Sequence, residues 1–490
     1  MSGRGPGRAE LWLAALLVFA LTLGIGLRGR LVEQRVNWDG LAAVAHAYDV
    51  YHAQPNANLA MIGFVQPPLP ALLQLPLALV APELTTSGLA ANVLGAVALA
   101  VAALLLLGMA AEAGISGPWR WGLMALFVLH PMVVGPAATG SPMAVLLALL
   151  MGTSWALVRW ARTEGLRELI AASVLLSGAI ITRYEAVFIV IGALIYLAWR
   201  VRRRGGSWSK LEGTMITFGL PIVYVAVVWI GANWAIMGDP WYFARRTFVA
   251  FPARGGDMFY AVLQVGLVCF FPILALVYNQ MRGAGRDPGA ARPVAWLVLT
   301  AMLAPLVLPR VFNALDAASE WDRLMVPAAM VLAGGYAMVA VMAGNALRGF
   351  MPRGPVQGSA LILLGSAGML IWLIGVGAGL PMKVTDAWAG RGPLADNGLP
   401  AIEAAELLAR TELPPGRDNI VAGWPGFALV LMSGQTGHAT VIQLADLPAQ
   451  LPLMRPGSRL VVLQEAEALV PSARVAELWR SGQWRCYEFR

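Results

Sequence analysis

The stretch Asn37–Pro70, NWDGLAAVAHAYDVYHAQPNANLAMIGFVQPPLP, decides how this chain is read. It follows the first hydrophobic run, carries Asp39, His46, Asp49 and His52, and leaves through Pro67, Pro68 and Pro70 into apolar sequence. Acids in such surroundings have two explanations. They belong to an ordinary solvated loop, or they form a site at a membrane surface.

The surroundings are those of a membrane protein. Of 490 residues, 58% are hydrophobic and only 13% charged, against about 25% charged in a soluble domain. Mean hydropathy is +0.67. Apolar runs recur near the roughly 20 residues that cross a bilayer core. We place spans at about 10–28, 87–111, 119–136, 141–160, 167–182, 185–199, 212–235, 257–280, 294–312, 323–346 and 358–381, with an interfacial or re-entrant helix at 68–82. Arg4 and Arg8 before the first run look like a signal peptide, but no small-residue cleavage site follows, so the run reads as a retained anchor.

Eleven crossings put the termini on opposite sides. The clusters Arg159/Arg162/Arg167, Arg200/Arg202/Arg203/Arg204/Lys210, Arg282/Arg286/Arg292 and Arg348/Arg353 then share one side with Arg4 and Arg8, and positive loops mark the cytoplasm. Arg28, Arg30 and Arg35 at the outer end of the first span run against this assignment and are outnumbered. The net charge of +8 is thus explained by topology and gives no reason to expect nucleic acid. Cys269 and Cys486, the only cysteines, have no plausible partners, which excludes a disulfide framework and a cysteine metal site. The expected localisation is the plasma membrane, multi-pass, with the N-terminus cytoplasmic.

Two domains are expected. Residues 1–384 form the membrane domain with a first outer loop at 29–66, and residues 385–490 form a small extracytoplasmic α/β domain. In the tail, Ala401–Arg410 reads as a helix and 419–423, 439–444, 459–463 and 485–489 as strands, with a helix at Ser472–Trp479. No glycine-rich phosphate loop, nucleophile elbow or internal repeat is present.

If a helix runs from Asp39 to His52, Asp39 and His46 lie nearly on one face, roughly 10 Å apart along it, and His46 neighbours Asp49. A carboxylate lining a cavity suits a general base; equally, Asn37 or Asp39 is a good helix cap and Asp49 fits a solvated face. His46 with Asp39 and Asp49 raises a divalent metal as an option without a recognised ligand spacing, so no metal or cofactor is assigned. Arg183, Arg245, Arg246 and Arg323 fall on the same side as Asp39, and the planar arginine fork suits phosphate; singly, each also serves as an interfacial anchor. Thr182-Arg183-Tyr184-Glu185 reads as the tip of a hairpin of two short helices, its charges turned to a water-filled cavity or simply to solvent. Trp241 fits an aromatic interface belt or a sugar-stacking surface.

At these residues the chain resembles the GT-C glycosyltransferases, in particular the polyprenyl-phosphate-dependent protein mannosyltransferase and aminoarabinose transferase branch (family 39-like). The motifs come in order: Asp39 in the first outer loop, the helix start Pro67-Pro68-Leu69, His130-Pro131 leading to Ala138-Thr139-Gly140-Ser141-Pro142, the hairpin Thr182-Arg183-Tyr184-Glu185-Ala186, Asn233-Trp234 through Gly238-Asp239-Pro240, and Arg323-Leu324-Met325-Val326-Pro327. The resemblance covers about residues 30–330. It implies a GT-C transmembrane fold and a polyprenyl-phosphate-linked sugar as donor, with transfer to the hydroxyl of an extracytoplasmic glycan, lipid or protein acceptor, with inversion. It also implies Asp39 as base and Arg183 and Arg323, helped by Arg245 or Arg246, as holders of the leaving phosphate; His46, Asp49, Tyr184, Glu185 and Trp241 are candidates for substrate contact. The family often carries an acid where this chain has Pro142. Competing readings are a lipid or solute transporter or flippase, whose usual repeats are not visible here, and a catalytically silent scaffold of the same fold.

Overall fold

The computed structural model describes residues 6–53, 57–115, 117–247, 292–301, 329–330, 332–337, 340, 396–411, 413–414, 418–423, 425–442 and 444–490. The chain begins with α1 (Arg8–Leu31), makes a two-residue strand β1 (Arg35–Val36) and enters α2 (Trp38–His52). After a short 3-10 turn at Leu59–Ile62 come α3 (Leu69–Val80), α4 (Pro82–Thr86) and α5 (Leu89–Glu112). Then follow α6 (Gly117–Val128), α7 (Pro131–Ala138), α8 (Met143–Thr163), α9 (Leu166–Ile180), α10 (Val187–Arg203), α11 (Trp208–Met237), α12 (Tyr242–Thr247) and α13 (Arg292–Ala301).

Among the described residues, five helices are long and apolar enough to cross a membrane: α1, α5, α8, α10 with its preceding turn, and α11. The expected single span at 119–136 is instead two helices, α6 and α7, with a bend of 64° between them. The cause is local. Pro131 disfavours helical backbone at the residue before it, and His130 accordingly sits at φ −63°, ψ 125°. The short apolar helix expected at 68–82, interfacial or re-entrant, corresponds to α3. Expected spans 257–280 and 358–381 lie outside the described residues, as do most of 294–312 and 323–346.

The core of the bundle forms where α1, α5, α8 and α9 meet, and it is built from Ala, Leu and Met side chains such as Ala102, Leu106, Leu146 and Met151. Small residues bring the helices close: a Cβ on Gly95 would overlap the Ala137 carbonyl, the close backbone approach typical of membrane helix packing. Ion pairs gather at one pole of the bundle. Arg120 meets Glu10 at 3.4 Å, Arg159 meets Glu112 at 3.5 Å, and Glu164 holds Lys210 at 2.6 Å and also Arg204. Helix α2 and the tip between α9 and α10 lie at the other pole.

Residues 396–490 build a second cluster of structure at that other pole. Strand β2 (Asp396–Asn397) pairs antiparallel with β1 and leads into α14 (Leu399–Thr411). After β3 (Ile420–Ala422) comes α15 (Gly426–Met432), then β4 (Thr440–Ile442), β5 (Arg459–Leu463), β6 (Val475–Ser481) and β7 (Trp484–Phe489). The sheet order is β4-β3-β5-β7-β6, parallel from β4 to β5 and antiparallel beyond. Helix α15 packs on α2, with Leu431 buried among Val44, Ala45, Ala90 and Ala91.

The helix expected at Ser472–Trp479 is corrected. Only Ser472–Arg474 makes a 3-10 turn, and 475–481 is the edge strand β6. Pairing with β7 overrides the helix-forming Ala-Glu-Leu run, and a bulge between Glu477 and Trp479 accommodates it. Trp479 reaches inward to donate to Thr411 Oγ1 at 2.9 Å. Glu477 and Arg480 pair on the exposed face, the charged dressing that keeps an edge strand from pairing further.

Candidate functional site

Four segments far apart in sequence converge on Asp39. The first is the start of α2: Asn37 caps it, its side chain accepting from the Gly40 amide at 2.8 Å, so Asp39 is left free of the capping role. The second is the loop after α7. Gly140 takes φ +77°, a left-handed conformation that suits glycine, and a Cβ there would strike Ala91; a Cβ on Gly40 would strike the Gly140 carbonyl. Two glycines thus let the start of α2 lie directly on the Thr139-Gly140-Ser141 turn. Pro142 is buried there at the head of α8, so the position where the resembled family often has an acid contributes packing instead.

The third and fourth segments are joined by the backbone. The Leu69 amide, opening α3, donates to the Ile181 carbonyl at 2.9 Å, binding the Gln66-Pro67-Pro68 run to the tip between α9 and α10. At that tip Arg183 is extended (φ −152°, ψ 121°) and Tyr184–Ala186 forms a 3-10 turn. This geometry delivers two side chains to one carboxylate. Arg183 Nη2 lies 3.2 Å from Asp39 Oδ2, and Gln66 Nε2 donates to Asp39 Oδ1 at 3.1 Å. The Arg183 and Asp39 side chains are 16% and 21% exposed, so the pair is largely withdrawn from bulk solvent yet reachable.

An aromatic cluster braces the tip. Trp229 Nε1 donates to Tyr184 Oη at 3.0 Å, Phe64 stacks on Trp229 at 5.3 Å, and Phe243 lies 5.0 Å from Tyr184. The buried Asn233 fixes Phe243 by accepting from its amide at 3.3 Å, which gives the Asn233-to-Pro240 segment a physical task. Glu185 is half-buried in the same turn. Trp241 is 53% exposed. Arg245 is exposed and bound to Asp239 at 2.6 Å, not to Asp39. The side chain of Arg246, and Arg323 entirely, lie outside the described residues.

His46 and Asp49 do not face the Asp39–Arg183 pair. They line a cavity of about 780 Å³ between α2, the 60–65 segment and the β3–β4 side of the C-terminal sheet. His46 Nδ1–H donates to the Met61 carbonyl at 3.1 Å, leaving Nε2 as an acceptor, and the ring packs 4.4 Å from Phe427. Burial lowers its pKa to about 4, the backbone bond offsetting part of the effect, so the imidazole is neutral at physiological pH. Gly63 (φ +83°) passes so close that a Cβ would overlap the imidazole. Burial likewise raises Asp49 to about 7. Among the described residues no three His, Cys, Asp or Glu side chains are grouped to hold a metal ion.

Gln66, just before the helix start Pro67-Pro68-Leu69, is a site residue not singled out from the sequence. Its position between an apolar turn and two prolines was the available signal: a polar side chain held on rigid backbone.

No protein-family model matches the sequence, and no curated protein matches it. Solved structures do. ArnT from Cupriavidus metallidurans bound to undecaprenyl phosphate superposes with a TM-score of 0.54 at 14% identity, over 98% of this chain and 97% of that one. Its apo form gives 0.53. The archaeal oligosaccharyltransferase AglB from Archaeoglobus fulgidus, in complex with an inhibitory peptide and a dolichol-phosphate, gives 0.54 at 10% identity, over 92% of this chain and 70% of that one. At such identities the likeness is one of fold: this chain shares the helical membrane-protein fold of the ArnT and AglB structures.

Proposed function

We infer that the protein is a membrane glycosyltransferase that moves a sugar from a polyprenyl-phosphate donor to an acceptor hydroxyl, with inversion, at the outer face of the plasma membrane. In this reading residues 1–384 are an eleven-span membrane domain and 385–490 an extracytoplasmic α/β domain, with the N-terminus cytoplasmic. The observation that carries it is the Asp39–Arg183 pair with Gln66, at the pole of the bundle opposite the arginine-rich ion pairs.

The chemistry follows from the groups. The acceptor oxygen attacks the anomeric carbon as the bond from that carbon to the phosphate oxygen breaks. Asp39 takes the hydroxyl proton, and the electron pair leaves on the polyprenyl phosphate, where a fixed guanidinium stabilises it. In the structure Arg183 is engaged by Asp39. A donor phosphate competes for the same guanidinium, so donor binding draws Arg183 off Asp39 and frees the carboxylate to act as base. Gln66 then keeps Asp39 oriented through its second oxygen. Arg323 and Arg246 remain candidates for the phosphate; Arg245 joins them by releasing Asp239.

The test is Asp39→Asn, which keeps the Gln66 and Arg183 contacts sterically possible and removes the base. Transfer of labelled sugar from polyprenyl-phosphate donor in membranes is expected to be lost. Retained transfer refutes the base assignment.

A further inference from the structure

We propose that Trp229 is a positioning residue for the transfer reaction: it sets the spacing of Gln66 and Arg183, the two side chains that hold Asp39. This rests on the transferase reading above and adds to it a residue that acts through its neighbours.

Two stretches of chain reach Asp39, 64–69 with Gln66 and 181–184 with Arg183. They are tied together at two points. At one end the Leu69 amide donates to the Ile181 carbonyl at 2.9 Å. At the other, Trp229 bridges them. Its ring stacks on Phe64, with centroids 5.3 Å and planes 10° apart, and its Nε1–H donates to Tyr184 Oη at 3.0 Å. Gln66 lies between Phe64 and Leu69 in the chain, and Arg183 between Ile181 and Tyr184. Each partner of Asp39 therefore issues from a segment anchored on both sides. The Leu69–Ile181 tie is backbone and survives a side-chain change; the other tie is Trp229 alone.

Trp229 is itself held in place. Helix α11 buries Phe218, Trp229 and Asn233, and the last two are neighbours on one helix face. Asn233 Nδ2 donates to the Trp229 carbonyl at 2.9 Å while Asn233 Oδ1 accepts from the Phe243 amide at 3.3 Å. The indole is 9% exposed and Phe64 5%, so the ring offers little surface to a ligand. Its two contacts serve different partners. The N–H bond fixes Tyr184 and, one Cα or about 3.8 Å away, Arg183. The stack fixes Phe64, two residues before Gln66, while Pro67 and Pro68 stiffen the backbone after it. Arg183 faces the donor phosphate and Gln66 orients the base, so the two contacts separate kinetically.

The experiment is initial-rate transfer from undecaprenyl-phosphate-linked mannose, glucose and arabinose in membrane vesicles, with undecaprenyl phosphate binding to the purified full-length protein measured beside it. Trp229→Phe keeps a ring on Phe64 and removes the N–H. Donor KM is expected to rise, and undecaprenyl phosphate binding to weaken, about five- to tenfold, with kcat within about twofold. Tyr184→Phe removes the other end of the same bond and is expected to match it, which also carries the test should Trp229→Phe fail to fold. The double variant is expected to lose no more than about twofold beyond either single one. Phe64→Leu keeps the bond and removes the stack; kcat is expected to fall about three- to tenfold at unchanged donor KM and lipid-phosphate affinity. A purely structural role lowers Tm and leaves kcat, donor KM and lipid-phosphate affinity at wild-type values, and that result overturns the proposal. Additive losses in the double variant overturn it too, as does a change of kcat and KM in the same proportion in both Trp229→Phe and Phe64→Leu. In each of these cases wild-type transfer still stands, and with it the transferase reading. If the wild type binds undecaprenyl phosphate but transfers none of the sugars, the transferase reading falls and the binding of Trp229→Phe alone decides whether Trp229 places Arg183. Absence of both transfer and binding in the wild type overturns both.

Discussion

Replacing Arg183 by Gln separates the two tasks that the structure gives this residue. As partner of Asp39 it forms an ion pair at 3.2 Å with 16% and 21% of the side chains exposed. That lies between exposed pairs, worth about 0–1 kcal/mol, and fully buried ones, whose breaking costs about 3–5 kcal/mol; about 2 kcal/mol of stability is expected to be lost. As holder of the leaving phosphate it supplies a charge-assisted bond worth about 2–3 kcal/mol. With each 1.4 kcal/mol worth roughly tenfold in rate, kcat/KM falls about 30- to 150-fold. Arg183→Lys keeps a point charge but not the fork and is expected to lose about tenfold. The assay is initial-rate transfer from a labelled polyprenyl-phosphate sugar in membrane vesicles, paired with thermal unfolding in detergent. A variant that loses the expected stability while kcat/KM stays at the wild-type value refutes the phosphate role and leaves Arg183 as a structural partner of Asp39.

Further outcomes follow from the same geometry. Gln66→Ala removes a donor to a carboxylate and is expected to lower kcat/KM about tenfold with little change in donor KM, because Gln66 orients Asp39 and does not touch the phosphate; a change in KM alone contradicts this. Gly140→Ala places a Cβ against Ala91 at φ +77° and is expected to cost at least about 2 kcal/mol, read as a lowered Tm; an unchanged Tm shows that the turn can relax. Asp49 makes stability fall as pH rises. Its carboxyl ionises near 3.8 when unfolded but about 7 in the fold, so the folded state holds an extra proton between these values. Stability is full below about pH 4, declines through about pH 7, and levels off above. Asp49→Asn is expected to remove that slope and to raise stability at pH 8 by up to about 4 kcal/mol; an unaltered pH profile refutes the assignment.

Much of the fold could be read because its signals are local. Strand β5 spans Arg459–Leu463, as its apolar run between turn residues implies, and α3 begins at the proline run as a helix start should. The hairpin tip at Arg183 was legible from two short apolar segments around charges. What escaped depends on partners distant in the chain. Val475–Ser481 becomes a strand because β7 is beside it, and α15 forms as the crossover between parallel strands β3 and β4, over a segment with no strong helical period. At the site, sequence order grouped Asp39, His46 and Asp49, yet Asp39 meets Arg183 and Gln66 at the start of α2, while the other two, about two to three turns further along the helix, line the cavity. The pairing of Asp39 with residues 27 and 144 positions away is a property of the folded bundle; the sequence set Asp39 and Arg183 on one side of the membrane without pairing them, and Gln66 went unread.

The central claim is that a polyprenyl phosphate is held where Asp39 and Arg183 meet. A structure of the full-length protein with undecaprenyl phosphate bound tests it most directly. The account predicts phosphate oxygens about 2.7–2.9 Å from the Arg183 guanidinium, with the Asp39–Arg183 contact opened and Gln66 still on Asp39. A phosphate bound elsewhere, with that ion pair intact, would contradict it.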